Sequence, residues 1–93
     1  MKTIQGLRKR TGAMSYVRKG AKKIRDVEKL AVGDVAHVFH ENGGRASIRV
    51  DVVQDEGTFI GTVVQNDGKI PGLAVKDSVV ENLDFVFVIT PAA

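Results

Sequence analysis

Hydrophobic and polar residues alternate along the last two thirds of the chain. The clearest stretch is 46–53, where Ile48, Val50 and Val52 are separated by polar residues. Because successive side chains of a strand point to opposite faces, this alternation predicts a strand with one face in a core and the other in solvent. Further strands are predicted at 35–40, at 58–64, at a short edge strand 79–80, and at the apolar run 85–89, which indicates a strand buried on both sides.

Turn-forming sequences with glycine separate these predicted strands. They are Asn42-Gly43-Gly44, Asp55-Glu56-Gly57 and Asn66-Asp67-Gly68. Glycine supplies the positive φ that tight hairpins require, so these turns in succession predict an antiparallel meander. Gly61 lies inside a predicted strand and indicates a bend that lets a small sheet curl. Pro91 ends the last predicted strand because it has no N–H for the ladder.

The first thirty residues follow a different pattern. Residues 1 to 13 contain two glycines and isolated apolar residues without a period, and we expect them to be mobile. Between Met14 and Leu30, apolar residues recur three and four positions apart, which predicts a short helix with its basic residues on the outside. Gly20 costs such a helix about 1 kcal/mol, so an extended ribbon and a single helical turn at 26–30 are alternatives.

One short motif occurs twice. Leu-Ala-Val-Gly-Asp at 30–34 returns as Leu-Ala-Val-Lys-Asp at 73–77. In a turn of this kind the leucine fills the end of a barrel and the aspartate caps the loop before a strand begins. A recurring turn of β-barrels and an internal gene duplication both explain the repeat.

Five short strands, glycine turns and a Leu-x-x-Gly-Asp turn before the first of these strands resemble the SH3-like small β-barrel domains of bacteria. The resemblance covers residues 30–90 and is one of fold. It implies a five-stranded antiparallel meander that closes into a barrel at 31–93. The basic residues of 1–30 predict a basic arm before it. In such barrels the hairpin loops and one curved face bind RNA, DNA or peptides, but the resemblance identifies no binding residue here. An oligonucleotide-binding five-stranded barrel is the alternative, although its stacking face is expected to carry more aromatic residues.

Opposite charges are separated along the chain. Residues 1–30 hold ten Lys and Arg against two acids, a net +8, whereas residues 31–93 hold four against nine, a net −5. This asymmetry predicts DNA or RNA as a partner of the arm, or an acidic surface on the same or a neighbouring copy. The candidate nucleic-acid contacts are the basic residues of the arm and one tyrosine able to stack on a base: Arg8, Lys9, Arg10, Tyr16, Arg18, Lys19, Lys22, Lys23 and Arg25.

Two other interpretations of the arm stay open. In the first, the arm is a solvated tail that aids solubility or contacts the acidic body of its own chain. In the second, the protein is an assembly module. In the second case an edge strand pairs with another chain and forms a homo-oligomer.

The composition argues against several other functions. The chain has no cysteine, which excludes disulfides and thiolate chemistry and is typical of a cytoplasmic protein. His37 and His40 lie three residues apart on a predicted strand, where they point to opposite faces, so we predict no metal site. No set of acid, base and nucleophile is recognisable, so we predict a non-enzymatic protein without a cofactor or small-molecule substrate. No apolar run approaches the roughly twenty residues that span a bilayer, so we predict no membrane role.

Overall fold

The computed structural model describes residues 1–12, 14–17, 24–27, 30–54 and 57–91. The regular secondary structure in these ranges is β-strand, apart from a short 3-10 helix at Leu83–Phe85. The strands of this described part are β1 (Met14–Val17), β2 (Ile24–Val27), β3 (Val35–Phe39), β4 (Arg45–Val53), β5 (Thr58–Asn66), β6 (Ser78–Asn82) and β7 (Val88–Thr90). No helix among the described residues is long and apolar enough to cross a membrane.

All these strands belong to one sheet, in the order β2-β1-β7-β3-β4-β5-β6. Strands β3 to β6 form the antiparallel meander that the turn sequences predict, and β7 returns to pair antiparallel with β3. The turn residues Gly43, Gly57 and Gly68 have positive φ, as predicted. The prediction of a mainly β fold with five antiparallel strands is therefore confirmed by β3 to β7. The strand order itself is that of an open sheet.

The core lies on one face of β3 to β7. Its largest fully buried side chains are Phe59, Ile48 and Ile89, and the remaining buried residues are mostly valine, isoleucine, leucine and alanine. Gly61 lies where β4 and β5 approach closely. A Cβ at this position would lie 2.5 Å from the Arg49 carbonyl oxygen, so only glycine fits without movement of the backbone.

Two irregularities in the pairing of β4 with β5 change which side chains face inward. The register shifts between Ser47 and Ile48 and again between Val50 and Val52. Ile48 and Val50 are buried as predicted, but Val52, which was predicted to face inward with them, is 48 % exposed. A bulge adds one residue to a strand and reverses the alternation beyond it, which a strict period of two does not anticipate.

The apolar run at 85–89 is not the continuous strand that its composition predicts. Phe85 ends the 3-10 helix, and the Val86 N–H donates to the Leu83 carbonyl at 3.0 Å. Strand β7 begins only at Val88, which is half-buried. An unbroken apolar run therefore covers a buried turn and a strand, and hydrophobicity alone does not separate the two.

Residues 1–12 lie against the sheet, although their composition led us to expect mobility. The segment bridges to β6 through Lys2 and to the end of β3 through Leu7. Ile4 and Leu7 are only 8 % and 7 % exposed, so they belong to the core. Their partners lie far along the chain, and a search for local periodicity does not detect contacts of that kind.

Strands β1 and β2 show that the helix predicted within 14–30 is wrong for the eight residues they contain. The two strands pair antiparallel, and β1 pairs in parallel with β7, so the alternative of an extended ribbon holds here. Strand β7 supplies backbone partners that the helical spacing of apolar residues does not reveal. Positions 18–23 and 28–29 of the predicted helix lie outside the described residues.

The two copies of the repeated motif form the same capped turn. In each, the aspartate side chain accepts a hydrogen bond from the backbone N–H three residues earlier. The Ala31 N–H donates to Asp34 at 3.0 Å, and the Ala74 N–H donates to Asp77 at 2.8 Å. The predicted capping role of both aspartates is therefore confirmed.

Candidate nucleic-acid interface

Arg8 and Lys9 are exposed beside the end of β3. The Arg8 backbone N–H donates to the Phe39 carbonyl at 2.8 Å, which fixes this part of the chain relative to the sheet. A cation on a fixed backbone loses less conformational freedom on meeting a phosphate than one on a mobile tail. These two residues are therefore suited to the contact that the sequence predicts for them.

Arg10 makes its contacts within the molecule. Its guanidinium donates to the Leu83 carbonyl at 3.2 Å and to the Gly12 carbonyl. Its backbone N–H donates to the Asp84 carbonyl at 2.6 Å. Arg10 thus joins the N-terminal segment to the 3-10 helix, and we assign it a structural role.

Tyr16 and Arg25 are direct neighbours across the β1–β2 hairpin. Val17 pairs with Ile24 at the ends of the two strands, on either side of the six-residue segment 18–23. The four remaining predicted contacts belong to that segment and lie outside the described residues: Arg18, Lys19, Lys22 and Lys23.

A cavity of about 440 Å³ opens on the outer side of the sheet, over β3, β4, β5 and β7. Its position follows from the alternation on β3, where His37 stands between the core residues Ala36 and Val38 and faces away from them. Such a volume is within the range of small-ligand sites, about 300 to 1,000 Å³. Its lining includes His37 and Phe39 of β3, Arg45 and Ser47 of β4, Gln65 of β5, Val88 of β7, and Asp67 just after β5.

One row of lining residues crosses four strands. His37 pairs with Ser47 on β4 and with Val88 on β7, and Ser47 pairs in turn with Gln65 on β5. Val88 also pairs with Ser15 of β1, so β1 continues the sheet beside this row.

Hydrogen bonds hold the His37 ring in place. Its Nδ1 lies 2.9 Å from the Ser47 hydroxyl and its Nε2 lies 2.7 Å from the Thr90 hydroxyl. Burial lowers the pKa of His37 because it disfavours the charged imidazolium. The ring is therefore neutral at pH 7, and each ring nitrogen has one hydroxyl partner.

The end of the cavity near the β3–β4 turn combines an aromatic ring, a cation and an anion. Phe39 packs edge-to-face on Phe87, with centroids 5.3 Å apart and planes at 82°. Its register neighbour on β4 is Arg45, whose side chain is exposed. The Arg45 N–H donates to Asp67 at 3.0 Å. Backbone hydrogen bonds, first from Lys69 and then from Arg45, lower the pKa of Asp67 and keep it ionised at neutral pH.

The cavity is not arranged to bind a metal ion. Within the described ranges no group of three or more His, Cys, Asp and Glu is placed to hold one. The Nδ1 of His40 accepts a hydrogen bond from the Asn42 N–H at 3.1 Å, which caps the turn after β3.

Comparison with known proteins gives no guide to what binds here. Protein-family models, curated proteins and solved structures yield no match to this chain. The interface is therefore interpreted from its own geometry and charge.

Sequence reasoning found the cationic residues but missed the cavity. A signal was present, because His37 and Phe39 share one face of a predicted strand and Arg45 directly precedes the next one, predicted at 46–53. Recognising their proximity requires the register of the hairpin, which the turn at 42–44 sets. A pairing of the two predicted strands through that turn would have brought Phe39 opposite Arg45.

Proposed function

We propose that this protein is a non-enzymatic nucleic-acid-binding protein whose basic N-terminal region contacts phosphates. The observation that carries the proposal is the charge separation, with a net +8 in residues 1–30 and −5 in residues 31–93. Phosphate contacts by lysine and arginine supply most of the sequence-independent affinity for nucleic acids. The acidic body is unsuited to such contacts, so the basic region carries them.

The proposed phosphate contacts fall into two groups. One is the exposed pair Arg8 and Lys9 beside β3. The other is the set of four cations in the segment 18–23. Tyr16 and Arg25 remain candidates in the hairpin strands.

A titration of labelled duplex DNA and RNA at two salt concentrations tests the proposal. Fluorescence anisotropy at about 50 and 200 mM salt gives the slope of log affinity against log salt. The six phosphate contacts of the two groups predict a slope of about −5.4 for duplex DNA. The triple variant Lys19→Gln, Lys22→Gln, Lys23→Gln removes three contacts and is expected to reduce the steepness of the slope by about 3.

A matched control separates a specific contact region from overall charge. The triple variant Arg49→Gln, Lys69→Gln, Lys76→Gln lowers the net charge by the same three units, but in the acidic body. We expect it to keep the wild-type slope. Equal losses in the two triple variants would contradict the assignment to residues 18–23, and no binding at low salt would rule out the function.

We further propose that the N-terminal segment closes the sheet into an SH3-like barrel. The support is that Lys2 exchanges hydrogen bonds with β6, donating to the Ser78 carbonyl at 3.0 Å and accepting from the Val80 N–H at 2.9 Å. The same segment reaches β3 through the Arg8–Phe39 hydrogen bond, so it links the two end strands of the meander. Hydrogen exchange tests this closure, because the amides of Val80 and Arg8 are expected to be protected. Exchange of both at unprotected rates would contradict it.

Homo-oligomeric assembly is a second candidate function. Strand β2 ends the sheet order, and among the described residues it pairs only with β1. Backbone groups on such an edge can add a strand from another copy. Light scattering is expected to give the mass of a dimer or larger for the wild type, and Arg25→Pro, which removes a ladder N–H from β2, is expected to reduce it. A strictly monomeric wild type would exclude this candidate.

A further inference from the structure

We propose that the cavity beside His37 and Phe39 receives an unstacked nucleobase, so that the nucleic acid this protein prefers is single-stranded. The inference rests on the proposed function. It adds the form of the nucleic acid and a contact surface on the acidic body.

The aromatic surface of the cavity is the first argument. Phe39 is half-buried and lines the cavity, and its edge-to-face contact with Phe87 restrains its ring. An aromatic ring held on an outer sheet surface is the usual platform for an unstacked base in proteins that bind single strands. Loss of one such base contact typically weakens binding by about 5- to 100-fold.

The polar groups around the ring suit the edge of a base. Gln65 is exposed on β5 and carries an amide that can both donate and accept, as hydrogen bonding to a base edge requires. Ser47 and the neutral His37 lie beside it in the same row. The walls are therefore partly aromatic and partly amide and hydroxyl, in a space of about 440 Å³.

Arginine is present at the end of the cavity near the β3–β4 turn. Arg45 lines this end, and the Arg8 backbone N–H donates to the Phe39 carbonyl beside it. A single strand laid along β3 would thus meet positive charge at this end of the cavity.

Asp67 is the one acidic side chain of the lining, and it limits how a nucleotide can be oriented in the cavity. Its carboxylate is ionised and accepts hydrogen bonds from the Arg45 and Lys69 N–H groups. It repels a phosphate at the β5 side of the cavity but can accept an amino group of a base. The phosphates are therefore assigned to the β3 and β7 side, and the base edge to the β5 side.

A duplex does not satisfy this geometry. Bases in a double helix are stacked and paired, so neither face of a base can reach a ring in a surface cavity without unpairing. Phosphate contacts at the basic segment, in contrast, form equally well with duplex and single strand. The two surfaces therefore make separable contributions.

Binding of full-length protein to fluorescein-labelled probes tests the proposal. The single-stranded probes are oligo-dT and oligo-rU of about 12 nucleotides, a length within the range that small single-strand-binding domains cover. The double-stranded probe is a DNA duplex of the same length. The wild type is expected to bind both single strands more tightly than the duplex. The variant Phe39→Leu keeps an apolar side chain and is expected to lose at least about fivefold in single-strand affinity, with duplex affinity and salt slope unchanged.

A pair of glutamine variants provides a second test that does not disturb packing. Gln65→Glu adds one negative charge inside the cavity, and Gln54→Glu adds the same charge at an exposed position at the far end of β4. We expect only Gln65→Glu to weaken single-strand binding by more than the general effect of one charge. Wild-type single-strand affinity in both Phe39→Leu and Gln65→Glu would overturn the cavity assignment while leaving the proposed function intact. No binding to any probe at low salt would overturn both.

Discussion

The turns at 30–34 and 73–77 share four of five residues and the same aspartate cap, yet they differ at the fourth position. That position is Gly33, with φ of 92°, in the first turn and Lys76, with φ of 79°, in the second. Positive φ costs a residue with a side chain about 1–2 kcal/mol. The second turn keeps its conformation at that cost, so glycine is favourable in this turn but is not what creates it.

Hydrogen bonds to a neighbouring strand impose the conformation. In the first turn the Gly33 N–H donates to the Val50 carbonyl at 2.8 Å, and in the second the Lys76 N–H donates to the Val63 carbonyl at 2.7 Å. The acceptor of the first turn, Val50, lies on β4 and follows that turn in the sequence. The acceptor of the second turn, Val63, lies on β5 and precedes that turn. A tandem duplication would keep the same order in both copies. The arrangement therefore favours a recurring turn over a duplicated unit.

The leucines that begin the two turns predict the largest difference between them. Leu30 is only 6 % exposed and belongs to the core, whereas Leu73 is half-buried and packs against it. We expect Leu30→Ala to lower the free energy of unfolding by about 2–5 kcal/mol, because it leaves a cavity in a closed site. Leu73→Ala is expected to cost about half as much, and urea denaturation of both variants measures the difference. Equal losses would mean that the two turns contribute alike to the core.

Signals within one or two neighbouring elements allowed most of the fold to be predicted. The alternation and the turn glycines predicted β3 to β6, and the repeat predicted both capped turns. The errors fall where a distant part of the chain decides the structure. Strand β7 makes the residues around Tyr16 extended, a bulge exposes Val52, and the core buries Ile4.

The candidate interface also has a part that local sequence predicts and a part that depends on distant residues. Its cations could be predicted because charge is a property of composition and needs no register. The cavity could not, because Phe39, Arg45 and Gln65 come together only through the pairing of three strands. Register errors of one residue move a side chain to the opposite face, so such sites require the sheet to be known.

The capping aspartates predict the next difference. Asp34 is buried, with 6 % exposure, whereas Asp77 is half-buried and bonded to Lys2. Asp34→Asn places an amide N–H₂ among buried groups and is expected to cost about 1–3 kcal/mol of unfolding free energy. Asp77→Asn is expected to cost less because water can reach its amide. A larger loss from Asp77→Asn in urea denaturation would contradict the ranking.

Substitutions at the fourth position are expected to change the free energy of unfolding by smaller amounts, with opposite signs in the two turns. Gly33→Ala introduces a side chain at positive φ and is expected to cost about 1–2 kcal/mol. Lys76→Gly relieves that strain but increases the freedom of the unfolded chain, so a net gain of about 0.5–1 kcal/mol is expected. Thermal unfolding of both variants measures the pair. A loss of stability from Lys76→Gly would show that the Lys76 side chain stabilises the turn in another way.

The smallest expected difference concerns pH, and it belongs to the second turn through Asp77. The hydrogen bond from the Lys2 ammonium, 2.8 Å away, is the main cause that lowers the pKa of Asp77, and the Ala74 N–H adds to it. A carboxyl group whose pKa is lower in the folded state stabilises the fold above its unfolded pKa, about 3.9, and this stabilisation is lost as the pH falls below that value. Lys2→Met is therefore expected to make the loss of stability between about pH 5 and 3 shallower than in the wild type. Lys76→Met removes a cation from the same turn without touching the carboxylate, so it is expected to keep the wild-type pH profile. Urea midpoints across this pH range decide between them, and identical profiles for all three proteins would show that the Lys2 contact does not stabilise the second turn.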